Sequence, residues 1–129
     1  MILLDTNVLI EIFDRQSERR QLLLDKLNKS GDEAVTSAIN IHETLIGMLD
    51  DGQKAEAVSE LMLMQTLPYK RDDSVLSASL EYYSEKLGKR ILKLDAMIAA
   101  IAINNNAKLF TLDKKHFPLL KEKGLQLFE

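Results

Sequence analysis

At 129 residues the chain has room for a single domain, residues 1–129, that buries about two-thirds of its unfolded surface. Its composition, 46% hydrophobic and 29% charged, is that of a soluble globular protein, and no apolar run reaches the roughly 18–20 residues of a membrane span. A net charge of −3 excludes the basic surface of a general nucleic-acid binder, and the absence of cysteine excludes a disulfide framework or thiolate zinc site. The opening, Met1-Ile2-Leu3-Leu4-Asp5, has no basic stretch and meets an acid at position 5, so it does not read as a signal peptide. Together these features point to the cytoplasm.

Residues 2–5 form an apolar run closed by Asp5, which predicts a short strand buried on both faces. Val8, Leu9, Ile10, Ile12 and Phe13 predict a short helix over 7–14, and Leu22, Leu23, Leu24 and Leu27 a second over 16–29, stopped by Ser30-Gly31. A second strand follows at 34–38. Asn40 is expected to cap a helix reaching Leu49, with a turn at Asp51-Gly52 and a further helix over 53–66. Residues 67–69 make a weak third strand whose Pro68 suits an edge position. Asp72 or Asp73 opens a long helix to Leu87, ended by Gly88. Asp95 opens an Ala/Ile-rich helix over 96–105 that is apolar nearly all round and therefore deeply buried. Strands over 108–112 and 125–128 complete the chain. Strands alternating with helices imply βαβ units, an α/β fold and a parallel sheet.

In such a sheet the helix N-termini and the strand C-termini share one edge, where α/β proteins place their sites. Asp5 ends the first strand, Glu43 lies in the first turn after the second, Asp95 opens the buried helix, and Asp113 follows the fourth strand. Each has a purely structural alternative. Asp5 can accept from the following helix N-terminus, and Glu43 can complete an Asn40-x-x-Glu43 capping box. Asp95 can be an N-cap, and Asp113 an Asx-turn residue. It is their convergence that points to chemistry. Two carboxylates about 5 Å apart repel by about 3 kcal/mol at an effective dielectric near 20. Four of them need a cation, and all-oxygen ligation by hard carboxylates selects Mg²⁺ or Mn²⁺ over zinc.

Four stretches carry a resemblance: Asp5-Thr6-Asn7-Val8-Leu9-Ile10; Ser37-x-x-Asn40 followed by Glu43; Asp95-Ala96-x-Ile98-Ala99-Ala100; and Thr111-x-Asp113-x-x-His116-Phe117. In that order they resemble the PIN-domain nucleases, in particular the VapC-type toxins of prokaryotic toxin–antitoxin pairs, over the whole chain. The resemblance implies a three-layer α/β/α sandwich with a central parallel sheet of order 3-2-1-4-5. It further implies a Mg²⁺- or Mn²⁺-dependent endoribonuclease, a homodimer and a small VapB-type antitoxin. By position, Asp5, Glu43, Asp95 and Asp113 match the acidic quartet, with Asp5 and Asp95 as the preferred direct ligands. Thr111 matches the hydroxyl residue that holds a water or an acid. The chain departs from part of the family at His116, where some relatives carry an acid.

Other residues are weighed beside these. Lys86, Lys89, Arg90 and Lys93 precede Asp95, and Lys114 and Lys115 follow Asp113. A solvated face is their ordinary reading; holding an RNA backbone beside the acids is the functional one. Thr6 and Asn7 suit N-capping, with a role for Thr6 in orienting Asp5 as the alternative. His42 and His116 lack the spacing of a helical zinc pair; His42 reads as an ordinary polar residue and His116 as a possible RNA contact. Met48, Met62 and Met64, with Leu45, Leu49 and Leu61, read as core or as an adaptable surface for an antitoxin segment or second subunit. A receiver-like domain would need a phosphorylatable Asp after the third strand, where Tyr69-Lys70-Arg71 stands, and a dehalogenase-type phosphatase would need an acid at Asn7. The rival from another class is a non-catalytic RNA-binding or regulatory module that keeps the fold.

Overall fold

The computed structural model describes residues 1–50, 52 and 55–129. Asp51 and the first two residues of the helix expected over 53–66 lie outside them.

Three buried residues, Ile2–Leu4, form β1 at the centre of the sheet. A central parallel strand has a helix layer on each side, so both its faces must be apolar, and here they feed two separate cores. Ile2 and Leu4 point into one with Val8, Leu9, Ile12, Leu23, Leu27 and Phe110; Leu3 points into the other with Val35, Leu80, Ile98, Ile101 and Leu109. The first core is covered by α1 (Thr6–Phe13), α2 (Arg20–Ser30), much of α3 (Ala38–Asp50) and α4 (Ala55–Leu61). The second is covered by α5 (Arg71–Lys86), α6 (Lys93–Asn104) and a 3-10 helix, Phe117–Lys123.

The sheet is five-stranded and all parallel, with β2 (Ala34–Ser37), β3 (Thr66–Leu67), β4 (Lys108–Phe110) and β5 (Gln126–Leu127) ordered 3-2-1-4-5. Leu3 pairs with Val35 on one side and with Leu109 on the other. This is the three-layer sandwich expected. The strands are shorter than read from the sequence, because residues such as Asp5 and Thr111 have already turned away to build the edge. Pro68 falls just beyond β3, an edge strand, where its missing N–H leaves no sheet bond unmade.

Several boundaries differ from expectation. Helix α2 begins at Arg20 rather than 16, because Ser17 turns back onto Asp14 and its hydroxyl reaches Glu11. Helix α4 ends at Leu61, leaving Met62 exposed and Met64 half-buried in the connection to β3. Of the apolar set around it, Met48 and Leu61 are core, whereas Leu49 and Met62 face solvent. Helix α5 opens at Arg71, two residues ahead of Asp73, whose buried carboxylate accepts from Lys70 N and from Asn104 Nδ2 at the end of α6. Helix α6 is as deeply buried as its composition requires, with Ala96, Ile98, Ala99, Ala100, Ile101 and Ala102 all inside. Gly88, at φ 70°, ends α5 in a conformation a side chain would strain and swings the chain into the loop bearing Lys89 and Arg90. The 3-10 helix after His116 had no counterpart in the apolar periodicity. Among the described residues no helix is long and apolar enough to cross a membrane.

Candidate active site at the carboxyl edge of the sheet

Asp5 occupies the single residue between β1 and α1. Its backbone N–H donates to Phe110 O of β4 at 2.9 Å, holding it at the sheet edge. Its side chain is the cap of α1, with Oδ1 accepting from Thr6 N at 2.8 Å. So the structural reading of Asp5 holds, but it does not exhaust the residue. Asn40 Nδ2 also donates to Oδ1 at 3.1 Å, and Thr111 Oγ1 donates to Oδ2 at 2.7 Å. Asp5 is only 5% exposed and has no cationic partner among the described residues. Burial raises its pKa, the Thr111 and Thr6 hydrogen bonds oppose that, the Glu43 charge adds to it and Asn40 opposes it; the net effect is upward.

Two capping expectations are overturned. Asn40 does not begin α3, which starts at Ala38; it sits inside the first turn, fully buried. Ser37 does the capping, its hydroxyl accepting from Asn40 N while donating to Asn40 Oδ1 at 2.6 Å. That leaves the Asn40 amide free to reach Asp5 Oδ1 and Thr6 Oγ1. The Asn40–Glu43 capping box is therefore not formed. Glu43 stands a turn further along α3, and its Oε1 accepts from Thr6 Oγ1 at 2.8 Å. Thr6 and Asn7 are not caps either, since Asp5 takes that position. Thr6 grips Glu43, while Asn7 spans to the segment just after β4, its Oδ1 accepting from Leu112 N and its Nδ2 donating to Thr111 Oγ1.

Thr111 is 3% exposed and has its whole hydrogen-bonding capacity used: it donates to Asp5 and accepts from Asn7 and from Asp113 N. Asp95 lies in the first turn of α6, two residues inside its start at Lys93, so it is not an N-cap. Its pKa is raised to about 6, chiefly by burial and then by the charges of Asp5, Asp113 and Glu43, with His116 opposing. The four carboxylates, from four separate segments, thus share one edge closely enough to act on one another. Asp113 is the exception in its environment. Burial alone would raise its pKa, but Lys115 N and His116 N donating to Oδ1, and His116 Nδ1 at 2.9 Å from Oδ2, lower it below the ordinary value. The Asx-turn reading is correct for this residue.

Counting acceptor sites ranks the four. An ionised carboxylate offers about four lone-pair directions. Among the described residues the Asp95 carboxylate makes no hydrogen bond, Glu43 keeps Oε2 free, and Asp5 and Asp113 each use three directions and leave one on Oδ2, Asp5 with donors from three segments and Asp113 with donors from its own loop. Among the described residues no three acidic or imidazole side chains enclose a cation by themselves. The donor set nonetheless fits a hard divalent ion, one that retains several waters and needs only one or two carboxylates from the protein. Buried or half-buried, mutually repelling oxygens with no lysine or arginine partner among the described residues are the chemistry such an ion satisfies.

The basic residues divide. Lys89 and Arg90, Lys115 and His116, with Gly88, Pro118 and Leu119, line a groove of about 780 Å³ beside Asp113. Lys93 and Lys114 do not line it. Arg90 and Lys93 both reach Glu81, at 3.6 and 3.4 Å. His42 is exposed on α3, as its ordinary reading requires. The residues missed as site members are Ser37 and Asn40. Their signal was present in the Ser37-x-x-Asn40 spacing, but an Asn near a helix start is read first as a cap.

The family profile described as PIN domain matches residues 2–123. The chain is 31% identical to ribonuclease VapC1 of Methanocaldococcus jannaschii over 129 residues, covering 99% of this chain and 87% of that protein. It is also 31% identical to toxin FitB of Neisseria gonorrhoeae over 128 residues, covering 91% of each. Among solved structures, VapBC2 from Rickettsia felis, bound to a DNA fragment from their promoter, superposes with a TM-score of 0.81 at 24% identity, covering 99% of this chain and 98% of that one. That likeness speaks for the fold.

Proposed function

This chain belongs to the PIN-domain family, and from that premise we propose that it is a divalent-metal-dependent endoribonuclease and the toxin of a toxin–antitoxin pair. It would act as one domain over residues 1–129, as a homodimer, with a small antitoxin of the VapB type as partner. Its relatives named ribonuclease VapC1 and toxin FitB support the class of activity and the toxin assignment. The observation that carries the chemistry is the edge around Asp95, where Asp5, Glu43 and Asp113 all raise its pKa.

Asp5 and Asp95 are the residues we assign to hold Mg²⁺ or Mn²⁺ directly: Asp5 is the most buried of the four, with its last lone pair in a fixed direction, and the Asp95 carboxylate has both oxygens free among the described residues. The ion would supply Lewis acidity toward the scissile phosphate and an acidified water. Thr111, Asn40 and Thr6 N–H fix the Asp5 carboxylate so that its last lone pair keeps one orientation. Glu43, its other oxygen held by Thr6, is placed to accept a proton through Oε2. Asp113, engaged by its own loop, acts at longer range by adding negative charge and by holding His116. Lys89, Arg90 and Lys115 would bind phosphates flanking the cut.

The test is cleavage of single-stranded RNA with added Mg²⁺ or Mn²⁺ by the wild type and by Asp5→Asn. Loss of cleavage in the variant supports the assignment. Equal cleavage by both would return the chain to a non-catalytic RNA-binding module.

A further inference from the structure

The cations around the acidic edge pose a problem that the edge itself does not solve. Lys93 stands two residues before Asp95 in the first turn of α6, and Arg90 lines the groove beside Asp113. Long basic side chains are the natural partners of carboxylates that repel one another. Yet among the described residues none of the four acids forms an ion pair with a lysine or arginine. Lys93 and Arg90 turn instead to one carboxylate outside the site. Glu81, on α5, places Oε1 and Oε2 each 3.4 Å from Lys93 Nζ, and Oε2 3.6 Å from Arg90 Nη2. The Glu81 side chain is 19% exposed, against 66% for Lys93 and 65% for Arg90. The anion is therefore the fixed member, and the cations are drawn to it.

The loop that carries these cations is anchored without Glu81's carboxylate. Lys89 N donates to Ser84 O, and Ile91, buried, donates its N–H to Ser84 Oγ at 3.1 Å. Ser84 Oγ in turn donates to the backbone carbonyl of Glu81, not to its side chain. What the Glu81 carboxylate adds is charge. A divalent ion at Asp5 and Asp95 competes with any cation the chain can offer them, so a lysine left unpaired nearby works against it. Arg90, at 3.6 Å, lies beyond hydrogen-bond distance of Glu81, and its N–H groups stay available to the groove. We propose that Glu81 is a positioning residue that keeps Lys93 and Arg90 off the acidic edge, leaving the carboxylates there to the divalent ion. The proposal rests on the metal-dependent reading of those acids, and its test reads ion binding rather than cleavage.

Calorimetric titration of the full chain with Mn²⁺, in the absence of RNA, would compare wild type with Glu81→Gln, Glu81→Asp and the double variant Glu81→Gln/Lys93→Ala. Glu81→Gln, nearly isosteric, should weaken Mn²⁺ binding about three- to tenfold, because the edge gains a net positive charge at short range. Glu81→Asp keeps the charge and should bind within about twofold of wild type. The double variant, with the released lysine gone, should recover most of the loss. Glu81→Gln should also bind labelled single-stranded RNA more tightly when no divalent ion is added, with a salt dependence steeper by about one counterion. Weaker ion binding together with tighter RNA binding is a pair that damage to the fold would not produce, since damage lowers both. Unchanged Mn²⁺ affinity in Glu81→Gln, a loss that persists in the double variant, or a fall in RNA affinity would overturn the proposal. Equal Mn²⁺ binding by all four proteins overturns the role of Glu81 and leaves the metal assignment standing. Wild-type protein that binds no Mn²⁺ overturns the metal assignment, and this inference with it.

Discussion

Thr111 Oγ1 donates to Asp5 Oδ2 at 2.7 Å across 106 positions of sequence. The bond joins the end of β4 to the end of β1, and the same hydroxyl receives Asn7 Nδ2 and Asp113 N. A buried carboxylate is therefore held by a buried hydroxyl with no capacity left over. Thr111→Val should remove about 1–3 kcal/mol of stability, because it strands one acceptor and two donors in the interior. Thr111→Ser should restore most of it. Urea denaturation measures the loss, and cleavage should fall in Val and recover in Ser, since Asp5 loses its fixed direction only in the first.

Asp95 ties activity to instability. Its pKa in the fold is about 6, above the 3.8 of the ordinary group, first because it is buried and then because Asp5, Asp113 and Glu43 face it. The folded state thus binds this proton more tightly than the unfolded chain. Stability from the group is complete below pH about 4 and is lost as pH rises through about 6. Asp95→Asn should make the metal-free protein more stable than wild type at about pH 8, by about 1–2 kcal/mol after allowing for solvent screening, and about equal at pH 4. It should also abolish cleavage. Equal stability of the two proteins at both pH values would contradict this account. Added Mg²⁺ or Mn²⁺ should stabilise wild type above pH 6 and do little for the variant.

Asn40 is fully buried and serves three partners at once: Ser37, Asp5 and Thr6. Asn40→Ala leaves the Ser37 hydroxyl without its acceptor and Asp5 Oδ1 one donor short, and should cost about 2 kcal/mol or more. Asn40→Asp is isosteric but faces Asp5 with a second charge, and should be worse above neutral pH than below about pH 5. Thermal denaturation of the two variants across that range checks the order.

Among the basic residues the geometry discriminates. Lys89→Ala and Lys115→Ala, both in the groove, should each weaken RNA binding and lower the salt dependence by about one counterion. Lys93→Ala, outside the groove and paired with Glu81, should change neither. Binding isotherms at several salt concentrations separate these outcomes. An unchanged salt slope in the groove variants would place the RNA elsewhere.

Much of this architecture is written in local pattern. The apolar run at Ile2, Leu3 and Leu4 requires a strand covered on both faces, and the all-round apolar α6 requires burial, because neither can be left facing water. Gly31 and Gly88 end helices at positive φ, as their lack of a Cβ allows. Alternating strands and helices then restrict the chain to a parallel sheet, and a parallel sheet restricts Asp5, Glu43, Asp95 and Asp113 to one edge.

What the local pattern cannot carry is the partner of a polar side chain, since a hydrogen bond depends on which segments become neighbours. The spacing Asn40-x-x-Glu43 reads as a capping box, yet the fold sends Asn40 to Asp5 and Glu43 to Thr6 because β1 lies beside β2. The turn at Asp113 was legible from its own neighbours; that its carboxylate is spent there, holding His116 against a basic groove, was not. Periodicity put the four acids on one edge of the sheet, and the strand order then brought them within reach of one another. Tertiary structure decided how Asp5 and Glu43 are held, because Asn40 and Thr111 reach Asp5, and Thr6 reaches Glu43, from segments far away in sequence.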